Sequence, residues 1–286
     1  MEQRKLDYAR LTTEGRNPRS MHIDTMSTED MMRCINEEDK LVPLAVEKEV
    51  PNIAKAVDAI TAAFEKGGRL IYTGCGTSGR LGVLDASECP PTFGVSNDCV
   101  VGIIAGGKEA LVTSSEGAED MEVAGVSDVM AAGMTKKDAL VGISAAGNAK
   151  YVAGALQAAK DMGAAAIGLT CNRECLMAQI VDILIVTDTG AEVLTGSTRL
   201  KAGTAHKLVL NMLSTFTMVK LGLVYDNYMI NVKPVNVKLR QRCIRIISAI
   251  TGVSSEMAEI ALDNANGDIR TAIERISLVR EEKDIF

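Results

Sequence analysis

Three glycines, two hydroxyls and an arginine crowd into one stretch, Gly74-Cys75-Gly76-Thr77-Ser78-Gly79-Arg80, just after the apolar run Leu70-Ile71-Tyr72-Thr73. A Gly-rich turn between a strand and a helix lets backbone N–H groups close on an anion, and the helix N-terminus adds partial positive charge. Thr77 and Ser78 place hydroxyls at the same spot. An ordinary tight turn would look similar, so the rest of the chain has to decide. Further on, Leu84-Asp85-Ala86-Ser87-Glu88-Cys89-Pro90-Pro91 places a carboxylate where two prolines are expected to end a helix. At the negative end of the helix dipole a carboxyl holds its proton more tightly, which suits a general acid near neutral pH. An exposed C-terminal glutamate is the plain alternative. A second acidic group is Ser114-Ser115-Glu116-Gly117-Ala118-Glu119-Asp120, which could cap the following helix or present one carboxylate to a ligand. The third cluster runs from Gly190 to Thr204. It contains Glu192, then Ser197 and Thr198 ahead of Arg199 and Lys201, so hydroxyls, N–H donors and cations gather in a second candidate anion site. His206 follows on the same helix, where packing explains a lone histidine as well as catalysis does.

The elements that must hold these groups follow from hydrophobic periodicity. Short apolar runs at 69–73, 99–104, 139–144, 164–169 and 181–187 read as strands, with helices near 78–88, 108–115, 121–132, 149–162 and 199–222. Apolar strands that alternate with helices, without period-two alternation, indicate a parallel sheet covered on both faces. The fold class is therefore α/β, a doubly wound five-stranded parallel sheet. Ligands in such sheets bind beyond the carboxyl ends of the strands, where the strand order reverses, and the turn at 74–79 lies at the carboxyl end of the first strand. Ahead of the sheet, residues 1–45 read as an arm that drapes over another surface, a partner subunit being one candidate, and a helix over 28–37 capped by Ser27. Leu41 to Phe64 reads as one long helix, interrupted near Pro43 and Pro51. Residues 46–232 make the sheet domain, and 233–286 change to three short helices, the first with a basic face (Arg240, Arg242, Arg245) that suits solvent or an interface.

Composition narrows the class. The chain has 286 residues, 47% hydrophobic and 24% charged, enough to bury a full core. A net charge of −6 without a long basic run argues against general nucleic-acid binding. Met1-Glu2-Gln3-Arg4-Lys5 is charged, with no apolar signal segment behind it, and no stretch approaches the roughly 20 apolar residues of a membrane span. Seven scattered cysteines, an odd number, suit a reduced cytoplasm better than a disulfide framework. Cys171 and Cys175 lie four apart, but no second pair or nearby histidine completes a zinc set.

Taken together, these segments resemble the sugar isomerase (SIS) domain class and, more closely, the N-acetylmuramic acid 6-phosphate etherase family. The resemblance runs from about residue 10 to residue 280. It is carried by Gly74–Arg80, the run Leu84–Thr92, Ile104-Ala105-Gly106-Gly107, Glu116–Asp120, Gly190–Lys207 and Leu208–Thr215, with Thr12-Thr13-Glu14-Gly15-Arg16-Asn17 near the start. It implies cleavage of the D-lactyl ether of the substrate, which leaves N-acetylglucosamine 6-phosphate and D-lactate in cell-wall amino sugar recycling, without metal or redox cofactor. It implies Glu88 and Glu119 as the catalytic carboxylates. Gly76, Thr77, Ser78, Gly79, Arg80, Ser144, Glu192, Ser197, Thr198 and Lys201 become the substrate and phosphate ligands. It also implies a homodimer with its site near the subunit interface, and a ubiquitin-associated-like C-terminal bundle. A non-catalytic sugar-phosphate regulator and a sugar-phosphate isomerase are the alternatives. One loop departs from the family's Ser-Gly-Arg-Thr-Pro-Tyr: here it reads Ala146-Gly147-Asn148-Ala149-Lys150-Tyr151, two hydroxyls and an arginine fewer.

Overall fold

The computed structural model describes residues 11–283. Residues 1–10 of the expected arm lie outside the described residues. The chain divides into two compact units, one made of the residues up to Ser87 with Asp98–Thr217, the other of Glu88–Asn97 with the residues from Met218 onward.

The first unit is built on a five-stranded sheet. β1 (Leu70–Gly74), β2 (Val100–Ile104), β3 (Ala139–Ile143), β4 (Ala165–Thr170) and β5 (Ile183–Val186) lie in the order β2-β1-β3-β4-β5. Every pairing is parallel. β1 and β3 are buried at all five positions, which is why they read as unbroken apolar runs. From β1 the chain first moves outward to β2, then returns to the other side of β1 for β3 to β5. Right-handed crossovers taken in opposite directions put helices on both faces, and the order reverses between β1 and β3. In register, Gly74 pairs with Ile143, so the turn after β1 and the loop after β3 leave the sheet side by side.

The helices follow the expected pattern with instructive differences. α1 (Thr28–Asp39) is capped by Ser27, whose Oγ accepts from Asp30 N–H. The long apolar segment is two helices, α2 (Leu41–Glu47) and α3 (Val50–Glu65), and Pro51 sits harmlessly in the first turn of α3. α4 spans Gly76–Phe93 and carries Pro90 and Pro91 inside it. Proline's fixed φ is helical, and late in the helix the prolines cost the donors to the carbonyls four residues back and press their rings on them without ending the helix there. The helix stops at Gly94 (φ +66°), whose N–H closes on Pro90 O at 2.9 Å. The helix expected over 108–115 reduces to a single 3₁₀ turn, Lys108–Leu111. Gly106 and Gly107 precede it at positive φ, and the Thr113-Ser114-Ser115 run behind it offers no helix to extend. α5 (Glu122–Ala131), α6 (Lys150–Met162) and α7 (Lys201–Lys220) complete the set. α5 and α6 pack on each other, and Tyr151, Val152, Ala155 and Leu156 of α6 join Ile71 and Leu140 in the core.

The second unit has its own core. A short hairpin, β6 (Val224–Tyr225) and β7 (Tyr228–Met229), precedes α8 (Val237–Thr251), α9 (Ser255–Asn264) and α10 (Ile269–Lys283). Asn236 and Ser254 cap α8 and α9, and Gly252 (φ +70°) ends α8 in the left-handed conformation glycine favours. Ile244, Ile247, Leu262 and Ile269 meet in the centre of this three-helix bundle. Part of the basic face of α8 is engaged within it: Arg240 reaches Glu259 at 3.0 Å and Asp263 at 2.8 Å.

Candidate active site

The Gly-rich turn does two jobs at once. A Cβ on Gly79 would sit 2.5 Å from Gly74 O and 2.6 Å from Ile104 Cγ1, so these glycines let α4 lie directly on β1 and β2. Gly102 of β2 does the same, since its Cβ would meet Val83 Cα at 2.5 Å. Gly79 N–H is already taken by Cys75 O at 3.3 Å. The N–H groups of Gly76, Thr77 and Ser78 precede that first helical bond and have no intrahelical acceptor. Thr77 and Ser78 are partly exposed, with no hydroxyl partner among the described residues. Arg80 behaves otherwise: its Nε donates to Leu111 O (2.9 Å) and its Nη2 to Thr113 O (3.2 Å). The guanidinium expected at the phosphate instead ties down the chain that leaves β2.

Across the switch point, Ser144 is 8% exposed, and its Oγ and carbonyl both accept from Gly147 N–H, at 3.1 and 3.0 Å. Gly147 holds φ +75°, and a Cβ there would strike Cys175 Sγ at 2.5 Å. Asn148 Oδ1 accepts from Leu176 N–H at 2.9 Å. The departed loop is thus fastened to the segment after β4. Ala149 begins α6 without a side-chain cap. Lys150, the charge nearest the lost arginine, lies 3.8 Å from Asp120, both groups well exposed.

The acids divide. Glu119 is exposed on a 3₁₀ turn, Ala118–Asp120, in the connection between β2 and α5. Burial, and then the charges of Glu119 and Asp120, push the Cys75 thiol up to about 12, which places this acid cluster beside the Gly-rich turn. A cavity of about 720 Å³ opens next to it, walled by Gly102 and Ile103 of β2, Ser115, Glu116, Asp128 and Tyr151. Tyr151 OH donates to Asp128 Oδ2 at 2.6 Å, and burial together with that carboxylate drives the phenol pKa upward. Glu88 is exposed on α4, five residues before the helix ends, so the prolines do not set it at the helix terminus and the dipole argument for it lapses. Glu88 belongs to the second unit, Glu119 to the first.

The third cluster differs most from expectation. Glu192 is fully buried, and its two oxygens accept from Lys201 N–H (3.0 Å) and Ala202 N–H (2.9 Å). The anion at the N-terminus of α7 is the chain's own carboxylate. Burial raises the Glu192 pKa despite those bonds and the nearby Lys201 charge. Lys201 is 1% exposed, with Nζ 2.5 Å from Glu38 Oε2. Both side chains, expected among the substrate ligands, are engaged by partners within the chain. Ser197 and Thr198 are partly exposed, and a Cβ on Gly203 would lie 3.4 Å from Thr77 Cγ2 and 3.6 Å from Thr198 O. Thr77 and Thr198 therefore flank Gly203, which brings the α7 entry to the Gly-rich turn. His206 is 1% exposed, 3.6 Å from Cys171 Sγ, and burial lowers its pKa to about 4. It is a neutral packing residue.

Comparison with known proteins adds what geometry alone does not. A family model described as the glucokinase regulatory protein N-terminal SIS domain matches residues 52–160. A Caldanaerobacter subterraneus subsp. tengcongensis protein named N-acetylmuramic acid 6-phosphate etherase is 53% identical over 263 residues, 92% of this chain and 86% of that one. The chain belongs to the N-acetylmuramic acid 6-phosphate etherase family. Other etherases of the family agree: one from Vibrio cholerae is 54% identical over the same shares, and one from Glaesserella parasuis 55%. Among solved structures, a putative phosphosugar isomerase from Bacteroides fragilis matches with a TM-score of 0.52 at 23% identity, covering 69% of this chain and 95% of that one. A phosphoheptose isomerase from Neisseria gonorrhoeae gives 0.51 at 19%, covering 67% and 98%. At those identities the likeness is one of fold.

Sequence reasoning missed Glu38, Asn17 and Asn172. Asn172 Oδ1 accepts from Thr12 N–H and Oγ1, both at 3.0 Å, while its Nδ2 donates to Ala145 O at 2.9 Å. With Thr13 and Asn17 also buried, the arm from Leu11 to Ser20 lies on its own unit. Only the family likeness of Thr12–Asn17 hinted at this, because the partners lie some 160 residues away.

Proposed function

We propose that this etherase-family enzyme removes D-lactate from C3 of N-acetylmuramic acid 6-phosphate, giving N-acetylglucosamine 6-phosphate in cell-wall amino sugar recycling. What carries the reading is identity above one half with named etherases over nine-tenths of the chain, a span that includes the run around Glu88. In the ring-opened sugar, the C1 aldehyde acidifies the proton on C2. One carboxylate takes that proton, and the C2–C3 double bond forms as the C3–O bond breaks. A carboxylic acid protonates the departing ether oxygen, which leaves as lactate. Water then adds at C3 and a proton returns to C2, so atoms and charge balance. Glu88 and Glu119 are the two carboxylates in this reading, each worth roughly 10²–10⁴-fold as a positioned acid or base. The open N–H groups of Gly76–Ser78, with the hydroxyls of Thr77, Ser78, Ser144, Ser197 and Thr198, are the phosphate and sugar donors. The enzyme works as a homodimer in the cytoplasm.

The test is incubation of the full chain with N-acetylmuramic acid 6-phosphate in ¹⁸O- and deuterium-labelled water. Lactate release, ¹⁸O at C3 and deuterium at C2 are expected, with Glu88→Gln and Glu119→Gln each abolishing lactate release. Folded wild type that frees no lactate would sink the reading. Full turnover in either variant would remove that glutamate from the mechanism.

A further inference from the structure

A buried charge network lies apart from the groups assigned to substrate. Glu38 of α1 is 3% exposed and accepts from Lys201 Nζ (2.5 Å), Asn17 Nδ2 (2.7 Å) and Arg19 Nη1 (3.1 Å). Burial opposes its ionisation, but the hydrogen bonds from Lys201 and Asn17 and the charges of Lys201 and Arg19 outweigh it, and the carboxyl is held below its ordinary range. A buried ion pair is often no more stabilising than apolar residues of the same size, so stability alone is a weak reason for it. Its geometric effect is plainer. It joins the arm, α1 and the first turn of α7. Asn17 also donates to Ala191 O (3.0 Å), and Ser20 Oγ donates to Val193 O (2.8 Å). Glu192 closes the same loop onto α7 from inside. The turn between these anchors, closed by its own backbone hydrogen bonds, carries Ser197 and Thr198.

We infer that Glu38 is a positioning residue for sugar-phosphate binding: by gathering Lys201, Asn17 and Arg19 it fixes the β5–α7 loop so that Thr198 stands beside Thr77. The inference rests on the reading above, which assigns the substrate to that turn. Glu38 touches no substrate; it acts through Lys201 and the arm.

The test compares Glu38→Gln, Glu38→Asp and the double variant Glu38→Met/Lys201→Met, in the full chain, by thermal unfolding and steady-state kinetics on N-acetylmuramic acid 6-phosphate. Glu38→Gln should raise KM about tenfold with kcat within about twofold, the pattern of lost binding rather than lost chemistry. Glu38→Asp should recover part of that loss. The double variant replaces the buried pair with apolar side chains and leaves no unpaired Lys201 charge, so its Tm should recover most of what Glu38→Gln loses, short of the cost of the Asn17 Nδ2 donor that loses this acceptor, while its KM stays raised. A role confined to stability would restore KM together with Tm, and that result would overturn the inference, as would an unchanged KM in Glu38→Gln. If wild type releases no lactate, the reaction reading fails, and the same variants are compared by calorimetric binding of N-acetylglucosamine 6-phosphate. Equal Kd values across the set, or no binding by wild type, would overturn the positioning role.

Discussion

Glu192→Ala is the most direct probe of how α7 is started. The change removes the acceptor of two N–H groups, at 3.0 and 2.9 Å, in a site with no solvent exposure. Losing a helix cap costs roughly 0.5–2 kcal/mol, and leaving a buried donor unsatisfied costs roughly 1–3 kcal/mol, so a loss of about 3 kcal/mol is expected. Glu192→Gln keeps one acceptor oxygen and should lose about 1 kcal/mol. The pH dependence has a definite sign. The folded carboxyl has its pKa raised by burial, so its ionisation weighs against folding as pH rises through the carboxyl range. Both deficits should therefore be larger near pH 4 than at pH 7. Urea unfolding measures the stability change. Hydrogen exchange at the Lys201 and Ala202 amides is the local readout, because two units can unfold separately. An alanine variant within about 0.5 kcal/mol of wild type, a value typical of exposed sites, would refute the capping argument, and so would equal losses in the two variants.

Two further outcomes follow from packing. Burial lowers the His206 pKa from its ordinary 6.5 to about 4. Between those values the unfolded chain takes up a proton that the folded one refuses, so stability should fall as pH drops from 6.5 to 4. At 1.36 kcal/mol per pKa unit the full effect is about 3 kcal/mol, and His206→Gln should flatten the slope in urea titrations at pH 7 and pH 5. Gly79→Val should destabilise by at least about 1–3 kcal/mol, because its Cβ would press on Gly74 O at 2.5 Å, a backbone atom that cannot step aside. A Gly79→Val protein with wild-type Cm would show that α4 does not rest on β1 as described.

The scaffold was legible because its signals are local. Fully buried parallel strands have no alternating pattern to disguise them, and Ser27, Ser254 and Gly252 announce helix ends in their own chemistry. Pro90 and Pro91 read as a helix stop for an equally local reason: proline ends helices on average, yet its fixed φ is itself helical and α4 carries both residues into its last turn. The cluster around Glu192 and Lys201 reads in sequence as a candidate anion site at a helix start, and a helix does start there. Which way each side chain turns was not visible, because Glu38 and Asn17 supply the partners from the far end of the chain. A carboxylate at a helix N-terminus reads the same in sequence whether it waits beside a ligand or takes the ligand's place.

The Gly74–Gly79 turn has a consequence for how such an enzyme can change over evolutionary time. The positions that weld helix to sheet, Gly74, Gly79 and Gly102, are separate from the positions that present hydroxyls, Thr77 and Ser78. Drift at the first set is penalised by backbone collision, whatever the substrate. Drift at the second set leaves the weld intact. If the proposed reading of the turn holds, a lineage can try new sugar phosphates by exchanging two side chains on an unchanged frame; the altered loop at Ala146–Lys150 is held differently, by the Ser144 and Asn148 side chains as well as by backbone.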